Sequence, residues 1–228
     1  MKKSTDRLTI LVSSTVYGIE PLLEQVYSLL NEFGYEVWCS HKGTVTVYPN
    51  KTAFETCLQA VKDCDLFLGI ITPHYGSGKV GGELSITHQE LLQAIALKKP
   101  RWILAHDHVP FARSLFMKLG CKNGKQRAAF LKKLGYNTGR KCANLARKEQ
   151  SIIDDFRVLD MYEAAIRHEL RVYQDRKGNW VQKFNSVDDA RLFATAQFYR
   201  YDQVAQFLLE SLGDAQTIRT RVQGRRAS

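Results

Sequence analysis

Two apolar runs, 66–71 (LFLGII) and 101–105 (RWILA), flank a glycine-rich loop and a segment of helical pattern that opens Thr87-His-Gln-Glu90. A strand, a loop, a helix and a second strand make a βαβ unit. No other stretch constrains the fold as much, because the two strands must be parallel and the crossover right-handed. In such units ligands bind beyond the carboxyl ends of the strands. The loop 72–84 lies at that end, and so does the first turn of the following helix with Glu90.

The neighbouring sequence repeats this rhythm. Residues 8–13 are β-branched and apolar and read as a buried strand. The loop Ser13-Ser14-Thr15-Val16-Tyr17-Gly18 follows, and Glu20-Pro21 then starts a helix that Gly34 stops. A second strand is expected over 35–39, and Thr52-Ala-Phe-Glu55 is a capping-box signature for a second helix. With a third strand at 66–71, a helix over 87–97 and a fourth strand at 101–105, the chain predicts an α/β fold. Its parallel sheet is covered by helices on both faces, with the first, third and fourth strands central. After position 105 the rhythm breaks. Short helices are expected over 111–119 and 125–134, a loop over 135–142, and a helical stripe through Ile152, Phe156, Leu159 and Ile166, with a strand near Val158 as the alternative. A last strand over 180–184 follows a turn at 175–179. One long helical stretch is expected over 186–212, and a basic tail over 219–228.

Composition narrows the setting. No apolar run reaches the roughly 18–20 residues needed to span a bilayer, so no membrane partner is expected. The basic-then-apolar start reads as a first strand, because LTILV is too short for a signal sequence. Five cysteines without a CxxC pair point to reduced thiols and a cytoplasmic location. The net charge of +10 is uneven: 109–148 holds eleven Lys or Arg and no Asp or Glu. Such a block suggests an anionic partner, namely a nucleotide phosphate, nucleic acid or an acidic protein face. The alternative is a solvated basic face balanced by acidic helices elsewhere.

Glu90 is the candidate catalytic group, and two readings of it stand. Thr87-His-Gln-Glu90 has capping-box spacing, in which Glu90 only bonds the Thr87 amide. Alternatively, Glu90 is a carboxylate in the crevice. Ser13, Ser14 and Thr15 can then bind ribose hydroxyls or phosphate, Tyr17 and Tyr75 can stack on a base, and Gly76-Ser-Gly78 with Gly81-Gly82 can approach phosphate through backbone amides. Glu83 reads as a loop charge and Asp65 as a turn residue. His106-Asp107-His108 lacks a third ligand, so no metal is expected. The glycine-rich loop lacks the Lys-Ser/Thr of a P-loop, which argues against ATP hydrolysis. Cys57 and Cys64 read as packing residues. The aromatics at 193, 198, 199, 201 and 207 read as core or a dimer face.

The segment from Glu90 to Pro100, ELLQAIALKKP, resembles the one that carries the catalytic glutamate in nucleoside 2-deoxyribosyltransferases, and equally the corresponding helix of TIR domains that cleave NAD. Val12-Ser13-Ser14-Thr15, Tyr17, Tyr75-Gly76 and Ser85-x-Thr87-x-x-Glu90 together resemble an uncharacterised TIR-like family, a domain of unknown function found in signalling and defence proteins. The resemblance covers residues 8–107 and, more loosely, 157–162 and 178–181. It implies a flavodoxin-like or TIR-like core over 1–107, a basic helical insertion over 108–150, completion of the domain over 151–214 and a basic tail over 215–228. It implies Glu90 as nucleophile or charge-stabilising carboxylate, with Ser13, Ser14, Thr15, Tyr17, Tyr75, Gly76, Ser85 and Thr87 binding substrate. The implied function is hydrolysis or transfer of the N-glycosidic bond of NAD or a related nucleotide, which serves as substrate with no further cofactor. Two other functions remain open: a catalytically silent nucleotide-sensing or interaction module, and nucleic-acid binding through the basic block. A homo-oligomer is a further partner left open.

Overall fold

Every residue of Leu66–Ile71 is buried, and none has a polar side chain. A strand with no polar face requires cover on both sides. The computed structural model, which describes residues 7–76, 84–135, 152–170, 176 and 178–212, supplies it. The strands are β1 (Thr9–Ser14), β2 (Glu36–Cys39), β3 (Leu66–Ile71), β4 (Arg101–His106) and β5 (Val181–Phe184). They form one five-stranded sheet in the order β2-β1-β3-β4-β5, and all four pairings are parallel. The first, third and fourth strands are central, as the sequence predicts. The architecture is α/β with a flavodoxin-like strand order, whose switch point falls between β1 and β3.

The helices are α1 (Glu20–Glu32), α2 (Ala53–Asp63), α3 (Ile86–Ala96), α4 (His108–Lys118), α5 (Gly124–Lys133), α6 (Arg157–Ala165), α7 (Val187–Phe198) and α8 (Tyr201–Leu212). The period-2 alternation of the strands sorts them onto two faces. Ile10, Val12, Leu66, Leu68 and Ile70 point into a core closed by α1, α7 and α8. Leu11, Phe67, Ile71 and Ile103 point the other way, into a core closed by α2, α3, α4 and α6. Asp65 does more than turn the chain: its Oδ2 accepts the Thr9 amide at 2.8 Å and the Thr9 hydroxyl at 2.9 Å, pinning β1 to β3 at the amino end.

The single helix expected over 186–212 is two helices. Phe198 at the end of α7 and Tyr201 at the start of α8 are both buried in the first core, so the chain must bend to seat both rings. The Phe198 carbonyl accepts the Tyr35 hydroxyl at 3.3 Å, and α8 restarts with Val204 N–H on the Arg200 carbonyl. Phe193 is also core, whereas Tyr199 and Phe207 are exposed. The stripe through 152–166 is helical only from Arg157, and Val158 lies in that helix, so the strand alternative there is excluded. The loop over 135–142, apart from Gly135, and the tail over 219–228 fall outside the described residues.

Tyr201 reaches across the first core, where its hydroxyl accepts the Leu8 amide at 2.7 Å. Tyr201→Phe removes one oxygen and leaves that buried donor without this acceptor. Urea unfolding should show a loss of about 1–3 kcal/mol, the usual cost of an unsatisfied buried group. An unchanged midpoint would mean that the hydrogen bond does not hold the first strand.

Candidate functional site

The site forms where β1 and β3 end. Ser13, next to last in β1, is almost fully buried; its hydroxyl donates to Glu90 Oε2 at 2.5 Å. Ser14 is half-buried, and its hydroxyl donates to the Thr15 carbonyl. Thr15 is buried against the loop after β3: a Cβ at Gly76, whose φ is +83°, would lie 2.9 Å from Thr15 Oγ1. The loops after β1 and β3 therefore touch, and a glycine permits the approach. Tyr17 stands out into solvent at 71% exposure. The rest of the glycine-rich loop, with Gly78, Gly81, Gly82 and Glu83, falls outside the described residues.

The helix that carries Glu90 is capped by a different residue from the one the capping-box spacing suggests. Ser85 is the N-cap of α3, and its hydroxyl accepts the His88 amide at 3.3 Å. Thr87 is the second residue of the helix and Glu90 the fifth, so Glu90 lies beyond the first turn and takes no part in the cap. Its carboxyl faces the end of β1 instead. It is 6% exposed, and burial pushes its pKa up to about 7 from an ordinary 4.5, against the opposing effect of hydrogen bonds from Ser13 and Cys57. Both of these donors are neutral. The Cys57 thiol, on α2, is itself pushed up to about 12, first by its own burial and then by the Glu90 charge, so it remains a thiol. The sequence reading treated Cys57 as packing. Nothing local links positions 57 and 90; only the packing of α2 on α3 brings them together.

Tyr75, expected to stack on a base, is 1% exposed. Its hydroxyl accepts the Ser85 amide at 3.3 Å and lies 2.8 Å from His88 Nδ1. Arg157 covers its ring at 4.6 Å. Its amide donates to Asp154 Oδ1 at 2.8 Å. Tyr75, Ser85 and Thr87 are thus buried and support the start of α3. Burial and the nearby Arg157 lower the His88 pKa to about 4, so His88 is neutral beside the Tyr75 hydroxyl. Of the residues singled out in the sequence, the structure joins Ser13 to Glu90 and Thr15 to Gly76. It leaves Tyr17 outward and places Tyr75 in the core.

His106 and His108 stack with ring centroids 4.4 Å apart, and the His108 amide donates to His106 Nδ1. Among the described residues no group of three or more His, Cys, Asp or Glu could hold a metal ion. The basic block is partly internal. Arg127 is 2% exposed and forks onto both Glu163 oxygens at 2.7 Å while also meeting Asp160, and Arg113 reaches Glu163 at 3.1 Å. Arg140, Lys141, Arg147 and Lys148 fall outside the described residues. No described helix is long and apolar enough to cross a membrane.

Residues 9–171 match the model of a family described as a domain of unknown function, DUF4062, and the chain belongs to that family. No curated protein matches the chain.

The environment of Glu90 makes stability depend on pH in a defined direction. Well below pH 4.5 the carboxyl is protonated in folded and unfolded chains alike and costs nothing. Between about 4.5 and 7 the unfolded chain loses the proton while the fold keeps it, so stability falls as pH rises. Above about 7 the full cost is present, about 3 kcal/mol at roughly 1.4 kcal/mol per pKa unit. Glu90→Gln can keep the Ser13 hydrogen bond and has no charge to bury. Melting curves should therefore coincide with wild type well below pH 4.5 and lie above it at pH 8. A gap that is constant across this range would show that Glu90 is not held in its protonated form.

Proposed function

We propose that this DUF4062 member cleaves the N-glycosidic bond of NAD or a related nucleotide, by hydrolysis or by transfer, with Glu90 acting at the anomeric carbon. The observation that carries the reading is the state of that carboxyl. It is buried at the switch point of a parallel sheet, is not used as a cap, is held by two neutral donors, and has a pKa raised to about 7. Buried carboxyls with displaced pKa values next to a crevice are typical of acid, base and nucleophile roles. The ordered motifs at 12–15, 75–76 and 85–90, which resemble those of TIR domains and nucleoside 2-deoxyribosyltransferases, add a second line of support. A role in signalling or defence belongs to the same proposal.

The chemistry asks little of the remaining residues. As the bond between C1′ and the base nitrogen breaks, its electron pair goes to the base, and the sugar acquires oxocarbenium character. Nicotinamide leaves NAD as a neutral molecule and needs no proton. An ionised Glu90 stabilises the positive sugar or bonds to it. Water or an acceptor then attacks C1′, and its proton passes to the carboxylate. Ser13 holds Oε2 and fixes the carboxyl plane. A cationic substrate also favours the ionised form, lowering the cost that burial imposes.

A second reading, a catalytically silent nucleotide-sensing or interaction module, is favoured by one feature: Glu90, Tyr75 and Thr15 are nearly closed to solvent. Base release from NAD and a nucleoside panel, followed by chromatography, separates the two. Under the catalytic reading wild type releases base, and the rate rises with pH through about 7 as Glu90 ionises. Glu90→Gln then lowers the rate at least ~100-fold, as loss of one preorganised electrostatic group does. Activity that survives Glu90→Gln rules out the assignment, and wild type inert on every substrate supports the silent module.

A further inference from the structure

Among its described residues, the basic block keeps arginines and lysines apart. Arg113 and Arg127 turn inward to the α6 carboxylates Glu163 and Asp160. Lys118, Lys122, Lys125, Lys132 and Lys133 stay exposed. The outer face of α4 and its C-cap also carries Phe111, Leu115 and Leu119, 70%, 51% and 52% exposed, spaced i, i+4 and i+8. Such spacing aligns them in one stripe about 12 Å long, at about 1.5 Å rise per residue. The opposite face of α4, with Val109, Ala112 and Phe116, is buried in the second core. The stripe is therefore the outward side of a helix already anchored by its other side.

We propose that the α4–α5 face docks on an anionic lipid surface, with the stripe entering the interface and the lysines reaching the headgroups. This departs from the sequence expectation of no membrane partner, and it concerns attachment to a membrane surface, not crossing. Three observations favour lipid over the other anions the block can attract. First, exposed apolar side chains among the cations have no role against a phosphate backbone, whereas an interfacial helix needs both. Second, the exposed cations described in α4, α5 and the turn between them are lysines. A lysine is a point charge on a long apolar stem that can snorkel, whereas planar bidentate recognition of phosphate favours arginine. Third, five exposed lysines fall within the four to eight that mark recognition of acidic lipid, and the stretch 109–148 itself holds no Asp or Glu.

Vesicle co-sedimentation of the full chain tests this, with phosphatidylcholine alone or with about 30 mol % phosphatidylserine. Wild type should bind only the phosphatidylserine vesicles, and more weakly at about 0.5 M than at about 0.1 M salt, as screening shortens the reach of the charges. Phe111→Ser/Leu115→Ser/Leu119→Ser should lower the partition coefficient at least ~10-fold by removing buried apolar area. Lys118→Glu/Lys122→Glu should do the same by reversing charge, and Lys118→Arg/Lys122→Arg should retain binding. All these side chains are exposed or fully outward, so unchanged melting curves confirm that the variants fold. The proposal is overturned if no binding to phosphatidylserine vesicles occurs at low salt, or if the serine variant binds as wild type does. It is equally overturned if a duplex oligonucleotide or polyglutamate is bound while vesicles are not, which would assign the block to nucleic acid or to an acidic protein.

Discussion

Leu66–Ile71 leaves no side chain for water, and this need for two-sided cover organises the rest of the molecule. Parallel neighbours take both edges of the strand, and helices take both faces. Once β3 is central, the loops after β1 and β3 emerge side by side. The place of the candidate site follows from strand order, because the chain leaves β1 and β3 in opposite directions to reach β2 and β4. The strand that provides the strongest hydrophobic constraint thus also positions the candidate site.

Two buried carboxyls show how differently one fold can treat the same group. Glu163 on α6 meets two guanidiniums, Arg113 and Arg127, which balance its charge and tie α6 to α4 and α5. Among the described residues, Glu90 on α3 meets the Ser13 hydroxyl and the Cys57 thiol, both neutral. Neutral donors orient a carboxylate without compensating its desolvation. The first arrangement is one of structure. The second buries a carboxyl without a cationic partner among the described residues, and burial raises its pKa to about 7.

The supports of Glu90 come from far along the chain. Cys57 reaches it from α2, and Ser13 from β1. The start of α3 is held by Tyr75, whose amide meets Asp154 and whose ring lies under Arg157. The segment after the basic block is therefore packed against the loop beside the crevice. Two inward arginines and outward lysines also make that block something other than a uniform positive surface.

The sequence by itself determined the strands, their parallel sense and the helices between them. These rest on period, glycine and proline placement and crossover handedness, all of which act locally or through simple topology. Spacing alone left Glu90 between cap and crevice, because Thr87-His-Gln-Glu90 satisfies a capping pattern. The tertiary structure decided it by starting the helix at Ser85. It also decided that Tyr75 lies in the core, that Cys57 faces Glu90, that Arg127 turns inward, and that the last helical stretch bends between Phe198 and Tyr201. Each of these depends on which distant side chain occupies the neighbouring space. Periodicity shows which face of an element is buried, but it does not record what that face meets.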